Sequence, residues 1–192
     1  MTCNVTELSQ PVNVPVDDDL YRLVQDYEYG WVYQIDPGQE PDLDRALYPP
    51  AVKKARRMKK SSPGKSANSA EPRNQSPRRM ICLYNKICVP SGFTYDGASV
   101  PRLAWSLTGI RPDGLLRAAA AVHDWIYRWQ GALPEGSHQF CLDDFAWQSA
   151  IGEWKRKDCD RLFGRMMREA GVSPMKRKMA YLAVRLLGGL SW

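Results

Sequence analysis

The feature that most constrains this fold is a polar His-Asp pair inside an otherwise apolar helical pattern. Residues 115–129 read LLRAAAAVHDWIYRW and contain neither glycine nor proline, so they predict a helix. His123 falls on its apolar face, where an imidazole without hydrogen-bond partners costs about 1–3 kcal/mol. The chain must therefore fold around a core that supplies partners to a buried histidine. The other members of that face are Leu116, Ala119, Ala120, Ile126 and Tyr127.

Positive charge is concentrated in one segment, Lys53–Arg79, and is not spread over the chain. The net charge is +6, yet this segment alone holds ten basic residues and one acidic residue, so the remainder is close to neutral. Its serine, proline and asparagine content predicts a long polar insert that does not fold by itself. Two interpretations stay open: a solvated linker, or a basic arm that folds onto an anionic partner. The candidate contact residues are Lys53, Lys54, Arg56, Arg57, Lys59, Lys60, Arg78 and Arg79.

Hydrophobic patterning predicts one α+β domain with an N-terminal arm. The arm covers residues 1–19, and the domain covers residues 20–192 with the proline-rich and basic insert interrupting it at about 37–79. Residues 20–35 and 80–95 have strand composition and predict a small antiparallel sheet. The first segment is either one strand or two strands with a break near Gly30.

Four or five helices are expected to cover that sheet. Helical spacing or capping signals occur in residues 103–108, 115–129, 139–154, 158–170 and 175–187. In the last helix the predicted inward residues are Met179, Leu182, Ala183 and Leu186. Its basic residues, Arg185 among them, are expected to face solvent.

The cysteines favour free thiols in a reducing compartment. The chain has five, an odd number, with no CxxC spacing that would suggest a zinc site. The N-terminal residues lack the basic start and apolar run of a secretory leader, so none is expected. Apolar runs are also far shorter than the roughly 20 residues that a membrane-spanning helix needs.

Three motifs together resemble an uncharacterised family of small proteins encoded by bacteriophages and prophages. They are VPSGFTYDGASVPR, VHDWIYR and RKDCDRLFGRMMREAGV, followed by MAYLAVRLLGG. The resemblance covers residues 87–129 and 156–189. The chain departs from the family in its basic insert, in an extra stretch before Lys155, and in Gly97, where the family has an aromatic residue. The resemblance implies a phage origin, a compact α+β fold and synthesis in the bacterial host cytoplasm.

A shorter similarity concerns the helix alone, because His-Asp followed by Tyr one turn later resembles the catalytic helix of phospholipase A2. That resemblance implies His123 as general base, Asp160 as its orienting carboxylate, and a calcium site at Asp124 with the Asp96-Gly97 loop. The disulfides and the glycine-rich loop pattern of that family are absent here. Two other enzyme classes fit less well, since a His-Asp phosphohydrolase needs further histidines and a serine hydrolase at Ser99 lacks the GxSxG turn.

The alternative to catalysis is a buried hydrogen-bond network that specifies the fold. Its candidate members are Asp96, Ser99, His123, Tyr127 and Asp160. A catalytic His123 should have one nitrogen bonded to Asp160 and the other facing a cleft, whereas a structural one should have both occupied.

We expect the structural arrangement, without a resident cofactor; calcium is the metal that the hydrolase alternative requires. The expected function is a virion structural or accessory protein associated with the phage tail or neck. Residues 50–79 and the N-terminal arm would dock on other virion proteins, with an anionic surface or nucleic acid as further options. The alternative is a calcium-dependent hydrolase that acts on the host envelope during entry or lysis.

Overall fold

The computed structural model describes residues 10–17, 20–35, 47–48, 81–96, 116–142, 145–190 and 192. The basic insert with all its candidate contact residues, the predicted helix at 103–108, and the site candidates Gly97 and Ser99 lie outside these residues. Within them the chain forms two antiparallel sheets and three α-helices, which confirms the α+β class.

Both sheets draw on the two segments that have strand composition. The first sheet has the order β1-β2-β5 and contains β1 (Asn13–Asp17), β2 (Leu20–Leu23) and β5 (Thr94–Asp96). The second has the order β3-β4-β6-β7 and contains β3 (Tyr27–Ile35), β4 (Ile81–Val89), β6 (His138–Leu142) and β7 (Gln148–Ser149). Strand β1 lies within the segment assigned to the arm, so part of that segment belongs to a sheet.

The predicted break near Gly30 is wrong, because Gly30 pairs with Lys86 in the middle of the β3–β4 ladder. The chain turns instead at residues 24–26, between β2 and β3. A Cβ atom at Gly30 would lie 3.4 Å from the carbonyl oxygen of Asn85 on the neighbouring strand. The glycine therefore allows β3 and β4 to approach closely, and the strand continues through it.

Helix α1 (Arg117–Arg128) lies at the centre of the core. It packs against β4, β5 and helix α2 (Arg156–Glu169), and nine of its twelve residues are buried. Four consecutive alanines, at positions 118–121, allow this close packing on several sides. Helix α3 (Pro174–Leu187) packs on α2, begins with a proline in its first turn and ends in the 3₁₀ turn Gly188–Leu190.

The predicted helix at residues 139–154 is wrong. These residues contain β6, which pairs with β4, and β7, which pairs with β6. The apolar spacing that suggested a helix includes Ala146, Trp147 and Ile151, all of which are exposed here. Pairing with the exposed edge of β4 decides the local structure, because sheet contacts override weak helical periodicity.

The predicted orientation of α3 is also wrong. Its buried residues are Ala180 and Val184, whereas Leu182 and Leu186 are exposed. Small residues face α2 because the two helices approach closely: a Cβ atom at Gly164 of α2 would lie 3.6 Å from the ring of Tyr181. The larger leucines are left on the outer side of the helix.

Candidate functional site

A buried carboxylate joins the first two helices. On α1, His123 and Tyr127 are four residues apart and therefore share one face. The Nε2 atom of His123 lies 3.1 Å from Oδ1 of Asp160 on α2, and the Tyr127 hydroxyl donates a 2.7 Å hydrogen bond to the same oxygen. Asp160 is 0% exposed, so it depends on protein donors and not on water.

The second oxygen of this carboxylate binds the third helix. The Nη1 atom of Arg185 donates a 2.7 Å hydrogen bond to Oδ2 of Asp160. Burial alone would raise the pKa of Asp160, but the hydrogen bonds from His123, Arg185 and Tyr127 outweigh it and hold the pKa below its usual range. Asp160 is therefore ionised, and it links α1, α2 and α3 at one point.

The other imidazole nitrogen faces a second carboxylate. Nδ1 of His123 is buried and lies 3.5 Å from Oδ1 of Asp124, without a well-aligned hydrogen bond. Burial lowers the pKa of His123, but the close approach of the Asp124 and Asp160 carboxylates and their negative charges outweigh that effect and raise it. The arrangement favours an imidazolium between two carboxylates, and His123 itself is only 3% exposed.

Apolar and small groups fix the rings of this network. The His123 ring packs at a tilt against Tyr127, with ring centroids 4.1 Å apart, and contacts the Phe163 ring at 4.9 Å. A Cβ atom at Gly188 would lie 2.8 Å from the Tyr127 hydroxyl oxygen, so the end of α3 can pass close to the site only with glycine there. Trp192 closes the same side with its ring edge-on to Tyr127 at 4.9 Å.

The structure therefore brings three of the candidate site residues together: His123, Tyr127 and Asp160. Asp124 adjoins them, but Asp96 is the last residue of β5, is exposed, and pairs in register with Leu20. Asp160, and not Asp96, is the carboxylate bonded to His123. Among the described residues no group of three or more His, Cys, Asp or Glu side chains could hold a metal ion.

Arg185 is the member of the network that sequence reasoning missed, because it was expected to face solvent. It is the only charged residue in the stretch MAYLAVRLL, at positions 179–187. A single charge in an apolar helical stretch indicates a buried partner or a long side chain that reaches past the apolar surface. Arg185 shows both features, since its side chain is 30% exposed while its guanidinium binds a fully buried carboxylate.

A second feature is apolar surface on the segment that carries β7. Phe145 is 68% exposed and Ile151 is 95% exposed, and Trp147 between them is also exposed. We call Phe145, Trp147 and Ile151 the hairpin patch. The Nζ atom of Lys86 lies 4.8 Å from the centre of the Trp147 ring, so the patch has a basic edge. Large exposed apolar side chains in one short segment are typical of interaction sites when they form a contiguous surface.

Comparison with known proteins yields one match. Residues 78–184 match the family described as a protein of unknown function, DUF1353. No curated protein and no solved structure matches the chain. Within the described residues, no helix is long and apolar enough to cross a membrane.

Proposed function

The chain belongs to the DUF1353 family, and on this premise we propose that it is a bacteriophage virion accessory protein, associated with the tail or neck, that docks on neighbouring subunits. The motifs GFTYDGASVPR, HDWIY and CDRLF, which resemble phage and prophage proteins, support the phage origin. The observation that carries the docking role is the hairpin patch, whose Ile151 is almost fully exposed.

The energetics of the hairpin patch favour a protein partner. Full burial of one large apolar side chain contributes about 1.5–3 kcal/mol, so three such side chains contribute several kcal/mol on docking. Aromatic residues beside an aliphatic anchor are also typical of the energetically important centre of an interface. The basic residues of 53–79 add a long segment that binds an acidic surface on the same neighbour.

The test uses a phage that lacks this gene and receives the protein from a plasmid. Wild-type protein should be incorporated into purified particles, and the double variant Phe145→Asp, Ile151→Asp should be incorporated at least roughly tenfold less, because two anchors are lost. Val24→Asp is the control, since Val24 is exposed in the turn between β2 and β3. Equal incorporation of the hairpin variant and the control would contradict docking through the patch.

A second candidate is a calcium-dependent hydrolase that acts on a lipid or other ester of the host envelope. The bond from His123 Nε2 to Asp160 favours it, since this is how a carboxylate orients a general base. Nδ1 would take a proton from the attacking water, and the proton would pass to the alkoxide that leaves the cleaved ester. Asp124 would be the calcium ligand. The raised pKa of His123 opposes this role, because only the neutral imidazole accepts a proton.

This candidate is tested by ester hydrolysis with and without added calcium. Calcium-dependent turnover by wild-type protein that falls at least roughly a hundredfold in His123→Asn would support a hydrolase. The matched control is Asp158→Asn, two residues before Asp160 on the same helix, which removes a carboxylate that pairs with Arg161. Turnover unaffected by His123→Asn would exclude His123 as the base.

A further inference from the structure

Helix α3 carries apolar residues on two opposite faces. Ala180 and Val184 are buried against the protein. Met175, Leu182 and Leu186 lie about 160° away at 100° per residue, and Met175 is 75% and Leu186 79% exposed. With the half-buried Met179 they form a stripe spaced at four, three and four residues, which we call the outer stripe of α3.

The outer stripe is bordered by positive charge on both sides. Lys178 lies about 60° to one side of the stripe and Lys176 about 100° to the other, and both are exposed. No acidic residue occurs anywhere between Val172 and Trp192. The helix therefore offers solvent an apolar stripe within a uniformly basic surround, while its opposite face is fixed to α2.

We propose that the outer stripe of α3 docks the protein on an anionic lipid surface, with the helix lying in the plane of the membrane interface. A helix with one apolar face and a lysine-rich surround binds such a surface by burying the apolar side chains while the lysines attract lipid phosphates. Helix α3 is 14 residues long, which is too short to span a bilayer but sufficient to lie on one.

Charge complementarity favours lipid over a second copy of this chain. A dimer formed through the outer stripe would place Lys176 and Lys178 of each copy near the basic residues of the other, and no carboxylate on α3 could neutralise them. An anionic membrane supplies both the apolar phase and the negative charge. The hairpin patch belongs to another element, so this docking goes beyond the proposed virion role and does not depend on it.

The experiment is co-sedimentation of the full chain with vesicles. We expect binding to vesicles of equal parts phosphatidylcholine and phosphatidylglycerol, and weak binding to phosphatidylcholine alone. Leu186→Asp should weaken binding roughly tenfold, because an exposed leucine is lost from the buried stripe. The double variant Lys176→Gln, Lys178→Gln should also weaken it roughly tenfold, and added salt should weaken wild-type binding further.

Controls separate this surface from the rest of the chain. Val24→Asp changes an exposed valine away from α3 and should bind like wild type, and circular dichroism should show that every variant is folded. Equal binding to both kinds of vesicle would overturn the proposal. Unchanged binding by Leu186→Asp would overturn it in favour of another basic segment. A dimer that Leu186→Asp dissociates would overturn it in favour of a second copy.

Discussion

Replacing the carboxylate at the centre of the helix network should destabilise the protein strongly. Asp160→Asn keeps the shape of the side chain but removes its charge, so one donor now faces an amide NH₂ and not a carboxylate oxygen. Removing one partner of a buried charged pair costs about 3–5 kcal/mol. We expect about 3 kcal/mol, the lower end of this range, because Arg185 is 30% exposed and can turn to water.

The assay is urea unfolding at neutral pH, followed by tryptophan fluorescence. The matched control, Asp158→Asn, lies on the same helix and breaks the 2.6 Å pair with Arg161, which is partly exposed. It should cost only about 0.5 kcal/mol. If Asp160→Asn costs no more than this control, the network does not hold the three helices together and the structural interpretation of the site is refuted.

The pH dependence of the unfolding free energies of wild type and Asp160→Asn provides an internal check. Because the pKa of Asp160 is lowered on folding, its contribution is present above the unfolded value near 3.8 and is lost as the pH falls through the folded pKa. The raised pKa of His123 has the opposite consequence. The contribution of the protonated imidazole to the free energy of unfolding is fully present below pH 6.5 and is lost as the pH rises through the folded pKa. The stability difference between wild type and Asp160→Asn should therefore shrink in acid.

Three further outcomes follow from individual residues. Burial lowers the pKa of His138 to about 4, so the unfolded chain binds one more proton than the folded chain as the pH falls from 6.5 to 4. Over that fall in pH the free energy of unfolding of wild type should decrease by about 3 kcal/mol, and that of His138→Phe should decrease correspondingly less, as measured by urea unfolding. At Gly131, where φ is +88°, a Cβ atom would lie only 2.1 Å from the carbonyl oxygen of Trp154, so Gly131→Ala should cost about 2–4 kcal/mol in the same assay, whereas Gly92→Ala, with open space around it, should cost less. Burial raises the pKa of the Cys88 thiol to about 11 and holds the pKa of the Cys159 thiol well above its usual value. Both thiols should therefore react with a thiol reagent at pH 8 much more slowly in native than in urea-unfolded protein, and equal rates would contradict their burial.

The parts of the fold that sequence predicts well are those where local pattern and burial agree. Helix α1 lies within the predicted segment 115–129, and its apolar face, with His123 on it, is buried. Helix α2 is similar, since its stripe from Leu162 to Met167 points into the core. In α2 the largest apolar residues are also the buried ones, so spacing alone identifies the face, whereas in α1 the opposite side, with Ala118 and Trp125, is buried as well.

Prediction fails where a neighbouring element decides between two patterns. Residues 139–154 have helical spacing, but His138–Leu142 form a strand because they pair with β4. In α3 both faces are apolar, and close packing on α2 selects the small residues Ala180 and Val184 over the leucines. Neither the available strand edge nor the distance between helices can be read from the segment itself.

The residues of the candidate site were likewise predicted only in part. The i, i+4 spacing of His123 and Tyr127 places both side chains on one face, and the helical stripe of α2 places Asp160 at its edge. The pairing of Asp160 with Arg185 joins residues on different helices, and it depends on how α3 is rotated on α2. That rotation is the feature of α3 that hydrophobicity assigns incorrectly, so Arg185 was placed on the wrong side.

The central proposal, that this chain is a structural part of a phage particle, is tested most directly by quantitative mass spectrometry of gradient-purified phage particles from a lysate that contains this chain. The account predicts peptides of this chain in a fixed ratio to a tail or neck protein, unchanged after high-salt washing of the particles. Its presence in the soluble lysate together with its absence from washed particles would contradict the claim.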